Sequence, residues 1–253
     1  MIHLMQRIRA AKGHVSFYYA PLDGGNIQTY NPDEALIAAS VIKIPVMVEA
    51  FRQMECGLLS ADETHVLRDG EKKPSCGVLN RLHEGLELTV MDLVELMIVL
   101  SDNTATNILI DRLGIGNVND TLRSLGLERT VLRRKLFDRE AKAKGLENTV
   151  TARETGRLLE MMYRGTLVSE AASAKMLDIL KAQRLNGKLP FYLHGRGIPV
   201  AHKTGEDDGI THDVGIVFAE SPFVLCMLSN ETDVPEFERL IQDAADVLSC
   251  AHS

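Results

Sequence analysis

The chain has 253 residues, of which 45% are hydrophobic and 25% charged, and its formal net charge is −7. This composition is typical of a soluble protein with one large domain or two interleaved subdomains. The negative charge argues against a general binder of nucleic acid or anionic membranes, because such proteins carry an excess of Lys and Arg. The four cysteines are widely spaced without a Cys-x-x-Cys pair, so we expect mostly buried thiols and no metal site.

No stretch of the chain has the pattern of a membrane or export segment. No run approaches the ~20 apolar residues of a membrane helix, and the first nine residues lack the uninterrupted apolar segment of a signal peptide. We therefore expect a protein without a transmembrane segment. It would be cytoplasmic as the sequence stands, and secreted or periplasmic if a leader was removed.

The N-terminal residues predict a helix followed by a β-hairpin. Apolar spacing over 2–12 is typical of a short amphipathic helix, and alternation over 14–20 and 27–30 is typical of two strands around a Gly-rich turn. The period then becomes helical over about 39–56. Because Pro45 lies inside this helix, where proline removes a backbone donor, we expect a 3₁₀ first turn or a kink beside it.

The middle of the chain is mostly helical. Capping residues and helical spacing predict helices that begin at residues 89, 117, 151 and 169, and a further one that ends at about residue 113. Residues 57–88 show no sustained period, and we interpret them as a long excursion with short elements. Residues 127–148 predict a charged surface loop.

The C-terminal part returns to a strand period. Alternating residues predict strands over 198–203, 212–219 and 222–228, separated by turns. Asp233 opens a last helix with apolar residues at helical spacing. Strands at both chain ends thus flank a long helical middle, and no linker divides the chain.

Ser40 and Lys43 form a Ser-x-x-Lys pair at the start of the second predicted helix. Helical spacing places the two side chains one turn apart on one face. This suits a nucleophile and its base, because a desolvated lysine can accept the serine proton. The pair alone is a weak signal, since these residues meet at this spacing by chance in many chains.

A polar break, Ser101-Asp102-Asn103, joins two apolar helices. On such a rigid platform a hydroxyl and an amide can be aimed into a site. The alternative is a helix-capping turn, because Ser, Asp and Asn all favour such positions.

A third motif, Lys203-Thr204-Gly205, lies at the end of the first late strand. The order of the three motifs resembles that of the serine β-lactamases and penicillin-binding proteins, particularly the class A β-lactamases. The resemblance covers essentially the whole chain and implies an α/β (α+β) fold in a single domain, 1–253. An antiparallel sheet would lie in one lobe, about 1–38 and 185–253, and an all-helical lobe would span about 39–184, with the site in the cleft between them.

The resemblance also implies a role for each motif residue. Ser40 would attack a lactam or amide carbonyl with Lys43 assisting proton removal, and Ser101 would relay a proton to the departing nitrogen. Backbone N–H groups of Ser40 and Glu206 would form the oxyanion hole. The amide and carboxylate of the substrate would be held by Asn103, Lys203, Thr204, Gly205, Glu206 and His212.

One part of the class A pattern is missing. Those enzymes use a loop glutamate, in a Glu-x-x-x-Asn arrangement, to activate the water that releases the acyl-enzyme, and this chain has no such motif. Glu140 is the candidate base, with Asp138 and Glu147 behind it. Ordinary surface charge is the alternative interpretation of each.

Three functions are therefore open. The first is a serine hydrolase that opens β-lactam or related amide bonds through an acyl-enzyme on Ser40. The second is a D-alanyl carboxypeptidase or esterase-like penicillin-binding enzyme with slow deacylation. The third, from another class, is a non-catalytic β-lactam-binding sensor. Each binds a small molecule (a β-lactam, a D-alanyl peptide or an ester), and the chemistry needs no metal or organic cofactor.

Overall fold

A computed structural model describes residues 2–250. Its helices are α1 Ile2–Ala10, α2 Lys43–Glu55, α3 Val90–Val99, α4 Asn103–Leu113, α5 Ile115–Ser124, α6 Arg139–Ala143, α7 Ala152–Tyr163, α8 Glu170–Lys181 and α9 Val234–Cys250. Its strands are β1 His14–Pro21, β2 Gln28–Tyr30, β3 Leu36–Ile37, β4 Thr64–Val66, β5 Glu87–Thr89, β6 Thr149–Val150, β7 Val200–Asp207, β8 Ile210–Val217 and β9 Phe223–Asn230. Short 3₁₀ turns cover Ala39–Ile42, Asp69–Glu71, Leu79–Arg81 and His194–Arg196.

The main sheet has the strand order β2-β1-β9-β8-β7, and every neighbouring pair is antiparallel. β1, near the start of the chain, pairs along its whole length with β9, near the end, so both chain ends build one sheet. The predicted mixed fold, with an antiparallel sheet beside a helical lobe, is therefore confirmed. β7, which carries the third motif, is an edge strand of this sheet.

Helices cover both faces of the sheet. Phe17 in β1 packs in a cluster with Leu225 and with Phe237 and Ile241 of α9. Tyr18, the next residue, points to the opposite face and joins the larger cluster formed with the helical lobe. Because both faces are covered, β8 and β9 are buried along their whole lengths and lack the polar alternation of a half-exposed sheet.

The prediction of a 3₁₀ first turn at Pro45 is confirmed. The chain forms a 3₁₀ turn over Ala39–Ile42, and the α-helix begins at Lys43. Pro45 therefore lies in the first α-helical turn, where its missing N–H would have had no partner inside the helix. All residues from Lys43 to Phe51 are buried, so the start of α2 is fixed inside the protein.

Some expectations were wrong. Within the stretch predicted as a charged loop, residues 139–143 form the short helix α6, which the Asp138 side chain caps by accepting from the Ala141 N–H. β7 continues past Lys203 to Asp207, so the third motif lies inside a strand. Of the four cysteines only Cys226 is buried.

Within residues 2–250, no helix is long and apolar enough to span a bilayer.

Gly156 marks a close approach of α7 to the sheet. A Cβ atom at this position would lie 2.5 Å from ring atoms of Tyr18. We expect Gly156→Ala to lower the free energy of unfolding by about 1–3 kcal/mol, because a methyl group there overpacks the interface. Gly116→Ala is the matched control: it lies in α5 with nothing near its Cβ position, so stability should stay within about 1 kcal/mol. Urea unfolding of both variants checks this, and equal midpoints would contradict it.

Candidate active site

Ser40 lies in the 3₁₀ turn that precedes α2, and it is half-buried. The preceding residue, Ala39, has a φ of +41°, a left-handed conformation that is uncommon for a residue with a Cβ and that clusters at functional sites. The turn is held from outside, since the N–H of Ala38 donates to the carbonyl of Asn148 at 2.8 Å. Gly205 of β7 packs directly against it, and a Cβ there would lie 3.1 Å from Val41.

Lys43 is fully buried one turn beyond Ser40. Its Nζ donates to the carbonyl oxygen of Ser101 at 2.8 Å, to Ser101 Oγ at 2.9 Å and to Asn103 Oδ1 at 2.9 Å. These contacts join the first two motifs, which are about sixty residues apart in sequence.

Ser101 stands between two lysines. Its Oγ accepts from Lys43 Nζ and also from Lys203 Nζ, at 3.1 Å. Its backbone φ is +53°, which again places strain at a residue of the site. The hydroxyl therefore bridges two amines on different lobes.

Asp102 has a structural role in the same motif. One carboxylate oxygen caps α4 through the Ala105 N–H at 3.0 Å, and the other accepts from the N–H groups of Val78 and Leu79. The capping interpretation thus holds for Asp102, while Ser101 and Asn103 face Lys43. Gly77, with a φ of +100°, lies so close to Asp102 that a Cβ would fall 2.1 Å from the carboxylate.

Burial shifts both lysines toward the neutral form. Desolvation, together with the nearby charge of Lys203, holds the pKa of Lys43 well below its ordinary value, against the opposing carboxylate of Asp102. Desolvation also lowers the pKa of Lys203 to about 7, although the charge of Asp213 works in the other direction. The cation that lowers the pKa of Lys203 further is Lys188. Two buried amines with lowered pKa values are suited to accept and pass on protons.

β7 offers backbone donors to the cleft because it is an edge strand. The carbonyl of Thr204 accepts from Lys203 Nζ at 2.9 Å, so it faces away from β8. Backbone groups two residues apart on a strand point to the same side, so the N–H of Glu206 faces the cleft as well. Glu206 itself lines the cavity, and its carboxylate pairs with Lys188 at 2.9 Å.

Two of the predicted site residues, His212 and Glu140, have surroundings that do not suit their predicted roles. His212 is fully buried: Nε2 contacts the carbonyl of Ile37 at 2.8 Å, and Nδ1 accepts from the Ser229 N–H at 3.0 Å. Burial lowers the pKa of His212 to about 4, so the ring is neutral and supports the strand β3 from inside the protein. Glu140 is exposed on α6 and does not line the cavity, so we no longer place it at the reacting group.

A cavity of about 510 Å³, a volume suited to a small organic molecule, is lined by three of the predicted site residues, Ser40, Asn103 and Glu206. The side chains of Lys43, Ser101 and Lys203 are buried behind its lining. The whole lining consists of Ile37, Ala39, Ser40, Ser75, Cys76, Asn103, Arg134, Leu136, Phe137, Asp138, Arg139, Lys142, Glu147, Asn148, Glu206 and Asp207. Among residues 2–250, no group of three or more His, Cys, Asp or Glu side chains is placed to hold a metal ion.

Two asparagines that the sequence did not single out fix one wall of the cavity. Asn107 binds both backbone groups of Leu136, accepting from its N–H and donating to its carbonyl, each at 2.9 Å. Asn148 accepts from the N–H groups of Arg133 and Arg134 and donates to the carbonyl of Arg134. No periodicity reveals such side-chain contacts to backbone, because Asn107 lies inside α4 and Asn148 lies just before β6.

The antiparallel sheet and the helical lobe form a fold that this chain shares with a solved β-lactamase and with PBP-A. The family model described as "Beta-lactamase enzyme family" matches residues 3–250. The chain therefore belongs to the β-lactamase enzyme family, and it is a hydrolase of that family.

Named relatives agree with this assignment. Beta-lactamase 3 of Bacillus cereus is 25% identical over 238 residues, which are 90% of this chain and 74% of that protein. The β-lactamase of Sphaerobacter thermophilus is 34% identical with a TM-score of 0.89, covering 97% of this chain and 94% of that one. PBP-A, in a mutant solved as an acyl-enzyme complex with penicillin G, is 28% identical with a TM-score of 0.89, covering 99% of this chain and 95% of that one.

The low pKa of Lys203 predicts a pH-dependent stability. Between about pH 7 and the ordinary value of 10.5, the unfolded chain binds a proton that the folded protein does not, so raising the pH favours folding. We expect Lys203→Met to remove this contribution. The wild type should gain stability relative to the variant as the pH rises from 7 to 10, measured by urea unfolding.

The control is Lys144→Met, which removes an exposed lysine at the end of α6. Its profile should run parallel to that of the wild type. Parallel profiles for Lys203→Met as well would show that Lys203 is protonated in the folded protein.

Proposed function

We propose that the chain is a serine hydrolase that opens β-lactam or related amide bonds through an acyl-enzyme on Ser40. The observation that carries the proposal is the hydroxyl of Ser101 between Lys43 and Lys203, in a site whose cavity is lined by Ser40. The acyl-enzyme of PBP-A with penicillin G supports it by analogy.

Acylation begins with proton transfer from Ser40 to Lys43. Two of the three partners of Lys43, the carbonyl of Ser101 and Oδ1 of Asn103, can only accept hydrogen bonds. A neutral amine that donates its two N–H groups to these acceptors keeps a lone pair, which can accept the proton of the Ser40 hydroxyl. Ser40 Oγ then loses its proton to Lys43 as its bond to the substrate carbonyl carbon forms.

The leaving nitrogen takes its proton from Ser101. As the carbon–nitrogen bond breaks, the Ser101 hydroxyl gives its proton to the nitrogen and recovers one from the Lys43 ammonium, which it contacts at 2.9 Å. Lys43 is then neutral again, and the products of this step are the Ser40 ester and a free amine.

Substrate binding uses the groups around this centre. The N–H groups of Ser40 and Glu206 stabilise the oxyanion, a contribution of about 3 kcal/mol per donor. Asn103 donates one N–H to the carbonyl of Pro74, and the amide has a second N–H for the carbonyl of the substrate side chain. Thr204 and the protonated form of Lys203 bind the substrate carboxylate, because the negative charge of the substrate favours that form and a charge-assisted contact is stronger than a neutral one.

Ser40→Ala tests the nucleophile. We expect the variant to gain no mass from penicillin G, because no other hydroxyl in the cavity has a buried amine one helical turn away. Ser75→Ala is the control, since Ser75 also lines the cavity but belongs to none of the motifs. It should be labelled like the wild type by intact mass spectrometry. Labelling of Ser40→Ala at the wild-type rate would refute the assignment.

Release of the acyl group needs a water and a base. Glu147 is the carboxylate we place in this role, because its neighbour Asn148 bonds to Ala38 beside Ser40 and Glu147 lines the cavity. A penicillin-binding enzyme with slow deacylation is the second candidate. The observation that favours it is the ion pair at 2.6 Å between Glu147 and Arg134, because the carboxylate oxygen in that pair is occupied by the arginine and is not free to take a proton from water.

Time-resolved intact mass after a short exposure to penicillin G separates the two. If Glu147 activates water, the wild type returns to its unmodified mass, and Glu147→Gln slows this return by about 10²-fold with acylation unchanged. Glu140→Gln, which removes an exposed carboxylate outside the cavity, should behave like the wild type. A wild-type adduct that persists through the experiment would contradict the β-lactamase reading and favour the penicillin-binding enzyme.

A further inference from the structure

One stretch of the cavity lining, within residues 134–148, carries two positive charges that have no partner among residues 2–250. Arg139 and Lys142 of α6 both line the cavity, and both are exposed. Neither forms an ion pair or a side-chain hydrogen bond with another residue among 2–250. At a spacing of three residues they share one face of the helix, where like charges repel. Their placement is unfavourable for the protein alone.

The acidic residues of the same stretch are already engaged. The Asp138 carboxylate caps α6 through the Ala141 N–H at 2.9 Å. Glu147 is paired with Arg134 at 2.6 Å. The Asp138 carboxylate keeps its negative charge, so the charged side chains of this stretch, Arg134, Asp138, Arg139, Lys142 and Glu147, sum to +1. Arg139 and Lys142 are the two cations among them that no carboxylate pairs with. Across the cavity, the exposed Asp207 at the end of β7 repels an anion from the other rim.

The same stretch of the lining carries an exposed aromatic ring. Phe137 lines the cavity with 47% of its surface exposed, and its φ of +61° is an outlier for an aromatic residue. The conformation persists because Asn107 holds both backbone groups of the preceding residue, Leu136. Backbone strain that keeps an aromatic ring exposed at a cavity points to a contact with a ligand.

The position of this stretch assigns it to one part of the substrate. Lys203 and Thr204 take the carboxylate of the leaving portion, while Asn103 takes the amide on the acyl side. Asn103, Phe137, Arg139 and Lys142 line the same cavity. An acyl chain that extends from the reacting carbonyl into this cavity therefore has both the aromatic ring and the two cations within the same lining.

We infer that Arg139 and Lys142 are specificity-determining residues, which select an amide substrate whose acyl chain has an apolar stem and ends in an anionic group. The inference rests on the proposed function. The preferred substrate thus carries two anions, one bound by Lys203 and one by α6, with the scissile amide between them.

The probes are two penicillins that differ at one chain end. One is 6-aminopenicillanic acid acylated with hexanoic acid, and the other carries the adipoyl group, which has the same four-methylene stem but ends in a carboxylate. The measured quantity is the second-order rate constant of acylation, from stopped reactions followed by intact mass. We expect the wild type to favour the adipoyl compound, and this preference to weaken as the salt concentration rises.

Arg139→Gln/Lys142→Gln should lower the ratio of adipoyl to hexanoyl rate constants by about tenfold, the range expected for two partly exposed charge contacts. The rate with the hexanoyl compound should stay within about twofold. Lys144→Gln is the matched control, since it removes a charge from the same short segment outside the cavity. Its ratio should equal that of the wild type. Phe137→Ala should slow both compounds by a similar factor, because both share the apolar stem.

Two results would overturn the inference. If the hexanoyl compound acylates the double variant normally and the ratio of adipoyl to hexanoyl rate constants is unchanged, Arg139 and Lys142 do not distinguish the ends of the acyl chains. If Lys144→Gln lowers the ratio as much as the double variant does, the effect is one of general charge. Absence of acylation by either compound in the wild type would instead remove the proposed function, so the two failures are distinguishable.

Discussion

The burial of two lysines around one serine hydroxyl is the constraint on which the site depends. An ammonium group deprived of water is unfavourable unless it is fully hydrogen-bonded, so each lysine must either find acceptors or lose its proton. Lys43 finds the carbonyl of Ser101 and the amide of Asn103, and Lys203 finds the carbonyl of Thr204. The Ser101 hydroxyl is shared between them. The arrangement requires both lobes, because Lys43 and Ser101 belong to the helical part and Lys203 to the sheet.

The surrounding structure holds strained backbone in place so that these contacts persist. Ala39, Ser101 and Phe137 all have positive φ values, and each lies in or beside the cavity. Each is next to a segment fixed by side chains that bind backbone groups. Asn148 and Asn107 hold the backbone of residues 133–136, which form part of the cavity wall. Asp102 joins the loop at Val78 to the start of α4. The strain is thus compensated by buried hydrogen bonds nearby.

The sequence predicted well those features that repeat or that follow a local rule. The capping box of α3 at Thr89 and Asp92 is present, as are the hairpin and the 3₁₀ turn before Lys43. Thr151 caps α7 as expected, but Glu154 does not return to it and instead accepts from the N–H groups of Arg129 and Thr130. The capping pattern predicts that the Thr151 side chain accepts from the Glu154 N–H. It does not predict which backbone groups the Glu154 carboxylate binds.

What could not be predicted from the sequence depends on tertiary position. β3 and β6 have two residues each, too short for any period. The alternation of residues around His212 correctly predicted a strand. That its ring is enclosed depends on tertiary contacts, with Gly205 and with the carbonyl of Ile37. Glu140 had the right chemistry in the right stretch, but it is exposed on the short helix α6 and is not among the residues that line the cavity. The roles of the motif residues in the reaction remain predictions of the resemblance and the geometry together.

The pairing of β1 with β9 has a consequence for how the protein folds. The partners, such as His14 and Asn230, are about 200 residues apart in the chain, so the entropy of closing a very long loop opposes their meeting. The helices between them rest on local contacts and can form early. Lys203 lies on β7, which joins the sheet only through β8 and β9. A nascent or trapped chain can therefore present Ser40 on a formed helix without its second lysine, and catalytic competence should arise as one of the last events of folding.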